Sequence, residues 1–409
     1  MNEIELRLTR LRELMKREHL SAFIFPSTDA HQSEYVADHW RGREWISGFN
    51  GSAGTAVVTM KSAALWTDSR YFLAAEEQLE GTEYQLMKLK VEGTPTIAEW
   101  LGKELQEVQS PEVGLDGMVN SYNYVKDLIY SLRKLGGITL RTNLDPLAQI
   151  WENRPSLPAN PVEIQPLEYA GETLASKVAR IRKSLRELHA DGMLVSALDD
   201  IAWTLNLRGT DVHCNPVFVS YLLIESGKVS LFVDDNKLSP EVKQYLQDNQ
   251  VSLYNYNKVE KCLESYSEYN ILLDGNETSY YLWKAVKCQE IVAAGSPIPA
   301  MKAVKNKAEI EGYHSAMLKD GVAMVKFLKW LKPAVEAGGQ TEISIDEKLT
   351  SLRAEQKLFR DISFDTIAGY AQHGAIVHYE ATPETDVVLK PEGLILIDSG
   401  AQYQDGTTD

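Results

Sequence analysis

Cysteine is scarce: Cys214, Cys262 and Cys288 are the only three in 409 residues, widely spaced and with no CxxC pair. An odd, scattered set excludes a disulfide framework and a zinc ribbon, and it fits reduced thiols in a cytoplasmic protein. Apolar runs are short as well, none approaching the roughly eighteen residues that a membrane-spanning helix needs. The opening MNEIELRLTRLREL mixes charged and apolar residues, unlike the apolar stretch of a signal peptide. Positive charge is in deficit, with 42 Lys and Arg against 58 Asp and Glu and a net charge of −16. Without a basic stripe to displace counterions from phosphates, nucleic acid is excluded as a partner. Gly48, Gly51 and Gly54 lie in ISGFNGSAGTAVVTM, but GxGxxG spacing is missing and no Lys-Ser/Thr follows. A hairpin turn is expected there, not a phosphate cradle.

What remains is an ordinary soluble composition, 44% apolar and 24% charged, in a chain long enough for about three domains. The first two are related. RLTRLRELMKREHLSAFIFPSTDA, from Arg7, aligns without a gap on KVARIRKSLRELHADGMLVSALDD, from Lys177, with Arg10 on Arg180, Arg12 on Arg182, His19 on His189 and Asp29 on Asp199. Leu8, Leu11, Met15, Phe23, Ile24 and Phe25 fall on Val178, Ile181, Leu185, Met193, Leu194 and Val195. Each copy predicts a helix of 3.6-residue period running into a buried strand. KSAALWTD and GKVSLFVDD repeat a strand ending in acid. We expect two duplicated α/β domains over residues 1–157 and 170–303, joined by the proline-rich linker NRPSLPANPVEIQP, and a third region over residues 304–409.

Several residues within these regions carry potential chemistry. Arg70 stands where a strand gives way to a helix in WTDSRYFLAA, and on local grounds it reads as a surface partner of Asp68. DDIAWTLNLRG predicts a short helix leaving through a turn at Asn206 and Gly209. His213 and Cys214 follow, and with no further ligand close in sequence they read as packing. In the third region, apolar spacing predicts a helix over residues 307–332 closed by Pro333, a second over 344–355, and strands near 365–369, 375–378 and 394–398. His378 ends the apolar run GAIVHYEA; a lone histidine at a strand end is commonly structural.

The final segment LILIDSGAQYQDGTTD sets Asp398 and Asp409 on a predicted hairpin. A ladder centred between Tyr403 and Gln404 puts the two acids opposite, roughly 5 Å apart, and one centred between Asp405 and Gly406 keeps them on one face. Two anions so close favour a hard divalent cation between them. An acidic turn in water would carry the same residues. The local sequence leaves both readings open.

WTDSRYF, IAWTLNLRG, MKAVKNKAEIEG, HGAIVHYEA and LILIDSGAQYQDGTTD together resemble aminopeptidase P, the three-domain Xaa-Pro aminopeptidases of the pita-bread superfamily. The resemblance covers essentially the whole chain. It implies two creatinase-like α/β domains followed by a pita-bread α+β metallopeptidase domain, and a cytoplasmic homodimer. It implies hydrolysis of the bond between an N-terminal residue and a following proline, with two divalent ions as cofactors, manganese first and zinc or cobalt as alternatives. Matched position by position, Asp398 and Asp409 correspond to metal ligands, His378 to a catalytic and substrate-contacting histidine, and Arg70 to a substrate-binding arginine. The family's other ligands, a histidine and two glutamates, lie beyond the position of Asp409. The 409 residues by themselves are therefore expected to bind metal weakly and to be inactive. A non-catalytic pita-bread module that binds peptides or proteins, or a prolidase- or creatinase-like hydrolase, remain the alternative readings.

Overall fold

The computed structural model describes residues 2–266 and 270–409. At its start Asn2 accepts from the Glu5 N–H while the Glu5 carboxylate accepts from the Asn2 N–H, capping a helix over Glu3–Arg17. Leu8, Leu11, Leu14 and Met15 form its buried stripe. His19 then takes a left-handed φ of 56°, and the chain enters β1 (Ala22–Phe25), whose four residues are all buried. β1 is joined by β2 (Thr55–Thr59), β3 (Ala63–Thr67), β4 (Tyr84–Lys88), β5 (Glu112–Leu115) and β6 (Thr139–Arg141) in the order β4-β3-β2-β1-β5-β6. The β1–β2 and β2–β3 pairs are antiparallel, and the rest are parallel.

The second unit repeats this arrangement. After β7 (Glu163–Ile164), a helix over Leu174–Glu187 ends at His189, whose φ is again 56°, and leads into β8 (Gly192–Val195). A helix over Leu198–Leu205 stops at Asn206, left-handed at φ 51°, and β9 (Leu207–Arg208) pairs with β7. β10 (Ser220–Glu225), β11 (Val229–Val233), β12 (Val251–Tyr254), β13 (Ile271–Leu273) and β14 (Ile291–Ala293) complete a sheet in the order β12-β11-β10-β8-β13-β14. Its antiparallel pairs are β8–β10 and β10–β11, strand for strand those of the first sheet. Residues 22–25 and 192–195, aligned from sequence, are the corresponding strands. The two units are locked together by His31, whose ring meets the Ser196 carbonyl and the Tyr256 hydroxyl at 2.9 Å each, and by Tyr122 stacked 3.9 Å from Trp283.

The third region is α+β. A helix over Lys307–Ala337 passes through Pro333, where the sequence predicted its end. Proline there forfeits one hydrogen bond, but Pro333 is exposed and water can take the released carbonyl, so the helix runs on to Gly338 at φ 86°. A second helix, Glu342–Ala354, is capped by Thr341. β15 (Phe359–Ile362) pairs with β18 (Ala401–Tyr403), and β16 (Ile367–Tyr370) with β17 (Ile395–Asp398), all antiparallel. The core here is small, built on Phe327, Ile345, Leu349 and Ala368, while Leu394 and Leu318 stand 84% and 72% exposed. Inside it Glu342, fully buried, accepts from the Tyr370 N–H at 2.6 Å and the Tyr379 hydroxyl at 2.9 Å and meets His373 Nδ1 at 3.0 Å.

That carboxylate explains a difference from the sequence reading. Residues 375–378 were expected to form a strand. Instead Ala371–Ala375 is a 3₁₀ turn, because His373 turns inward to Glu342, and His378 follows in a left-handed conformation at φ 55°. Among the described residues no helix is long and apolar enough to cross a membrane.

Candidate active site

Asp398 is the last residue of β17 and pairs with Ile367 across the ladder. The chain then steps through Ser399 and Gly400 into β18, and a knot of hydrogen bonds draws the final residues alongside. Ser363 donates its N–H to the Gly400 carbonyl at 3.1 Å and its hydroxyl to the Thr408 carbonyl at 2.9 Å. Thr408 and Ala401 exchange two more bonds of 2.9 Å. The buried Thr408 thus fixes where Asp409 begins.

The hairpin register differs from both centres expected from sequence. Gln402 faces Thr407, so the turn is centred between Gln404 and Asp405. Mutual Tyr403–Gly406 backbone bonds close it, and Lys319 grips Asp405 at 2.6 Å to hold the tip against the long helix. Continuing this register sets Asp409 against Gly400, making Asp398 its diagonal neighbour on the same face and not its direct partner. Gly400 is where this packing is tightest, since a Cβ there would fall on Ser363 Oγ and the Thr408 carbonyl oxygen. Gly400→Ala is therefore expected to push residues 407–409 away, costing roughly 1–3 kcal/mol. Thermal unfolding should show that loss.

Asp398, Asp409 and His378 line one cavity of about 640 Å³, which also takes wall residues from the first domain (Arg41, Arg43, Glu44, Tyr71) and the second (His213). The His378 ring lies 5.5 Å from that of Tyr71, whose hydroxyl bonds Ser52 at 2.7 Å. Arg43 is buried and donates to the Phe49 and Gly51 carbonyls and to Ser27, so the glycine-rich turn is wrapped around a guanidinium. Burial draws its pKa down to about 10.

The cleft is acidic. Burial and then neighbouring Asp365 raise the Glu380 carboxyl, and burial raises that of Glu44. Among the described residues neither Asp398 nor Asp409 has a hydrogen bond or ion pair at its side chain, and both are exposed to the cleft. Beside them the Ser399 hydroxyl is buried without a hydrogen-bond partner among the described residues. Two unpartnered carboxylates opening on one cavity fit a hard divalent cation, and they offer at most four oxygens.

The described residues contain one cluster of three close metal-ligating groups, and it includes neither Asp398 nor Asp409. His213 and Cys214, read from sequence as packing, are met by Asp365 from the third region, with His213 Nε2 at 2.7 Å from Asp365 Oδ1. Cys214 itself is buried, and burial followed by the charge of Asp365 pushes its thiol pKa up to about 12.

The architecture and this cleft agree with the comparisons to known proteins. Residues 7–140 and, separately, 153–309 match the Creatinase/Prolidase N-terminal domain, and residues 311–409 match Metallopeptidase family M24. The Xaa-Pro aminopeptidase of Drosophila melanogaster is 38% identical over 415 residues, covering 98% of this chain and 67% of its own length. A probable Xaa-Pro aminopeptidase P of Penicillium rubens is 38% identical over 419 residues with the same coverage. The chain belongs to the Xaa-Pro aminopeptidase P family. A solved relative, the X-prolyl aminopeptidase of Caenorhabditis elegans, described as a cytosolic enzyme with a di-nuclear active site, superposes with a TM-score of 0.92 at 30% identity. It covers 100% of this chain and 69% of its own. The chain thus spans about two thirds of the length of these aminopeptidases.

Within this family frame Arg70 keeps the partner that the local sequence suggested. Its Nε and Nη2 donate to Asp68 at 2.9 and 2.8 Å, which holds the Asp68 carboxyl below its usual range, and the guanidinium lies 5.2 Å over Tyr71. Arg70 therefore stands one ring away from His378 and is not part of the cavity wall. The wall residues Arg41, Arg43 and Tyr71 escaped the sequence reading. Tyr71 was the one within reach, as the aromatic neighbour of Arg70.

Proposed function

We propose that this chain forms the substrate-facing part of a two-metal aminopeptidase that removes an N-terminal residue preceding proline. The observation that carries the reading is the convergence of Asp398, Asp409 and His378 on one acidic cleft walled by the first domain. Asp398 and Asp409 would hold the divalent ions, manganese first, with zinc or cobalt as alternatives. Bound there, such ions supply Lewis-acid polarisation of the scissile carbonyl and activation of water near neutral pH.

The chain's own residues do the remaining work. The exposed His378 donates a hydrogen bond to the oxygen that gains charge as the carbonyl is attacked. Glu34, Glu44 and Asp365 around the cleft draw in the free α-ammonium of the substrate. The X-Pro amide carries no N–H, so no substrate donor is left unpaired at that point. Arg70 keeps Nη1 without a contact among the described residues, suited to a carbonyl farther along the peptide or across a homodimer. A cytoplasmic homodimer, with its chain divided at residues 1–157, 170–303 and 304–409, completes the proposal. Two carboxylates are too few donors for two hard ions, so the 409 residues by themselves are expected to be inactive.

His378→Ala tests the assignment. In manganese-loaded protein of the relatives' full length it should lower kcat on an X-Pro peptide about 10²–10³-fold with metal binding unchanged. An unchanged kcat would remove His378 from the reaction.

A further inference from the structure

We propose that His213, Cys214 and Asp365 form an additional metal site that takes zinc or a similar borderline-soft divalent ion and ties the second domain to the third. The donor set is one imidazole, one thiolate and one carboxylate, the mixture zinc accepts and manganese or magnesium does not favour. The three donor atoms lie within 4.8 Å of one another, and His213 Nε2 is 2.7 Å from Asp365 Oδ1. Zinc bonds of about 2.0–2.3 Å in a tetrahedron place donors roughly 3.3–3.8 Å apart. Closure therefore asks the histidine and aspartate to part by about 0.6–0.8 Å. Both side chains can do so, being 53% and 46% exposed.

Cys214 is the fixed corner. Its backbone is left-handed at φ 61°, the Val212–Asn215 bridge closes the loop, and Gln402 donates to its carbonyl at 3.1 Å. Asp361 and Glu380 add further negative potential around the thiol. Coordination replaces the thiol proton, which passes to solvent, and leaves a fourth position for water. The site lies at the meeting of two cavities: His213 lines both, Cys214 the one between the second and third domains, and Asp365 the one holding Asp398 and Asp409. It is distinct in chemistry from that oxygen-donor pair. A bound ion would clamp the wall of the cleft.

The test is spectroscopic and independent of peptidase activity. Metal-stripped protein is titrated with cobalt(II) and watched for the near-ultraviolet charge-transfer band of a cobalt–thiolate bond. The band should appear, bleach on adding zinc, survive in Cys262→Ser/Cys288→Ser, and vanish in Cys214→Ser. His213→Ala, at an exposed position that spares the core, should weaken cobalt binding about tenfold or more. No thiolate band in the unaltered protein, or a band that persists in Cys214→Ser, would overturn the proposal. Asp398 and Asp409 give no such band, so the outcome does not depend on the peptidase reading.

Discussion

In protein of the relatives' full length, Asp409→Asn is expected to lower release of an N-terminal residue from X-Pro peptides about a thousandfold while leaving the fold intact. Two features of the residue separate these effects. Its side chain has no hydrogen bond or ion pair among the described residues and is exposed, so neutralising it removes no internal contact. Its backbone position is held from the preceding residue, through Thr408 and its bonds to Ala401 and Ser363, which the substitution does not touch. Metal-assisted polarisation contributes several kcal/mol to a barrier, and about 1.4 kcal/mol is a factor of ten in rate. With Asp409 proposed as an anionic metal ligand, its loss should remove most of that contribution. Titration calorimetry with manganese and steady-state kinetics should move together, and thermal unfolding in the absence of metal should stay put. A variant with full activity would show that the carboxylate is not a ligand.

Lys237→Met should cause the largest loss of stability of any single change considered. Lys237 Nζ lies 2.5 Å from Asp211 Oδ2, with side chains 2% and 0% exposed. Asp211 also accepts from the Val219 and Asn160 N–H groups, but Lys237 is its only cation among the described residues. Removing one partner of a buried pair leaves an uncompensated charge and costs about 3–5 kcal/mol, whereas replacing both with apolar residues is often near neutral. The unfolding transition should fall accordingly, and Asp211→Leu/Lys237→Met should recover only part of the loss, because the Val219 and Asn160 N–H groups lose their acceptor. Burial already raises the Asp211 carboxyl, with Lys237 opposing it. Without the lysine the folded-state pKa rises further above its unfolded value. The folded state then holds a proton that the unfolded state releases, so the penalty is greatest above that pKa and shrinks as pH falls. Because Asp211 precedes the loop of His213 and Cys214, the same change should loosen that corner of the cleft.

The repeat was legible because each copy is built from local signals: a helical apolar stripe, a left-handed stop at His19 or His189, and a buried four-residue strand. The sheet order then followed without being visible in either segment. The closing hairpin was half legible. Turn residues announced the reversal, but the register was set by Lys319 gripping Asp405, a partner 86 residues away. His378 was assigned to a strand because GAIVHYEA looks extended locally, and the buried Glu342 carboxylate bends that segment by capturing His373. The His213–Cys214–Asp365 cluster was illegible for the same reason. Its third donor lies 152 residues from the first, and nothing near His213 announces it. The pairing of Arg70 with Asp68 was legible because the two lie two residues apart.

Selection of an X-Pro bond by the cleft around Asp398, Asp409 and His378 is what the proposed function stands on. It is tested most directly by offering manganese-loaded protein of the relatives' full length two peptides that differ only in proline or alanine at the second position. The proline peptide should release its first residue rapidly and the alanine peptide at least a hundredfold more slowly. Equal rates on both, or no release from either, would contradict it.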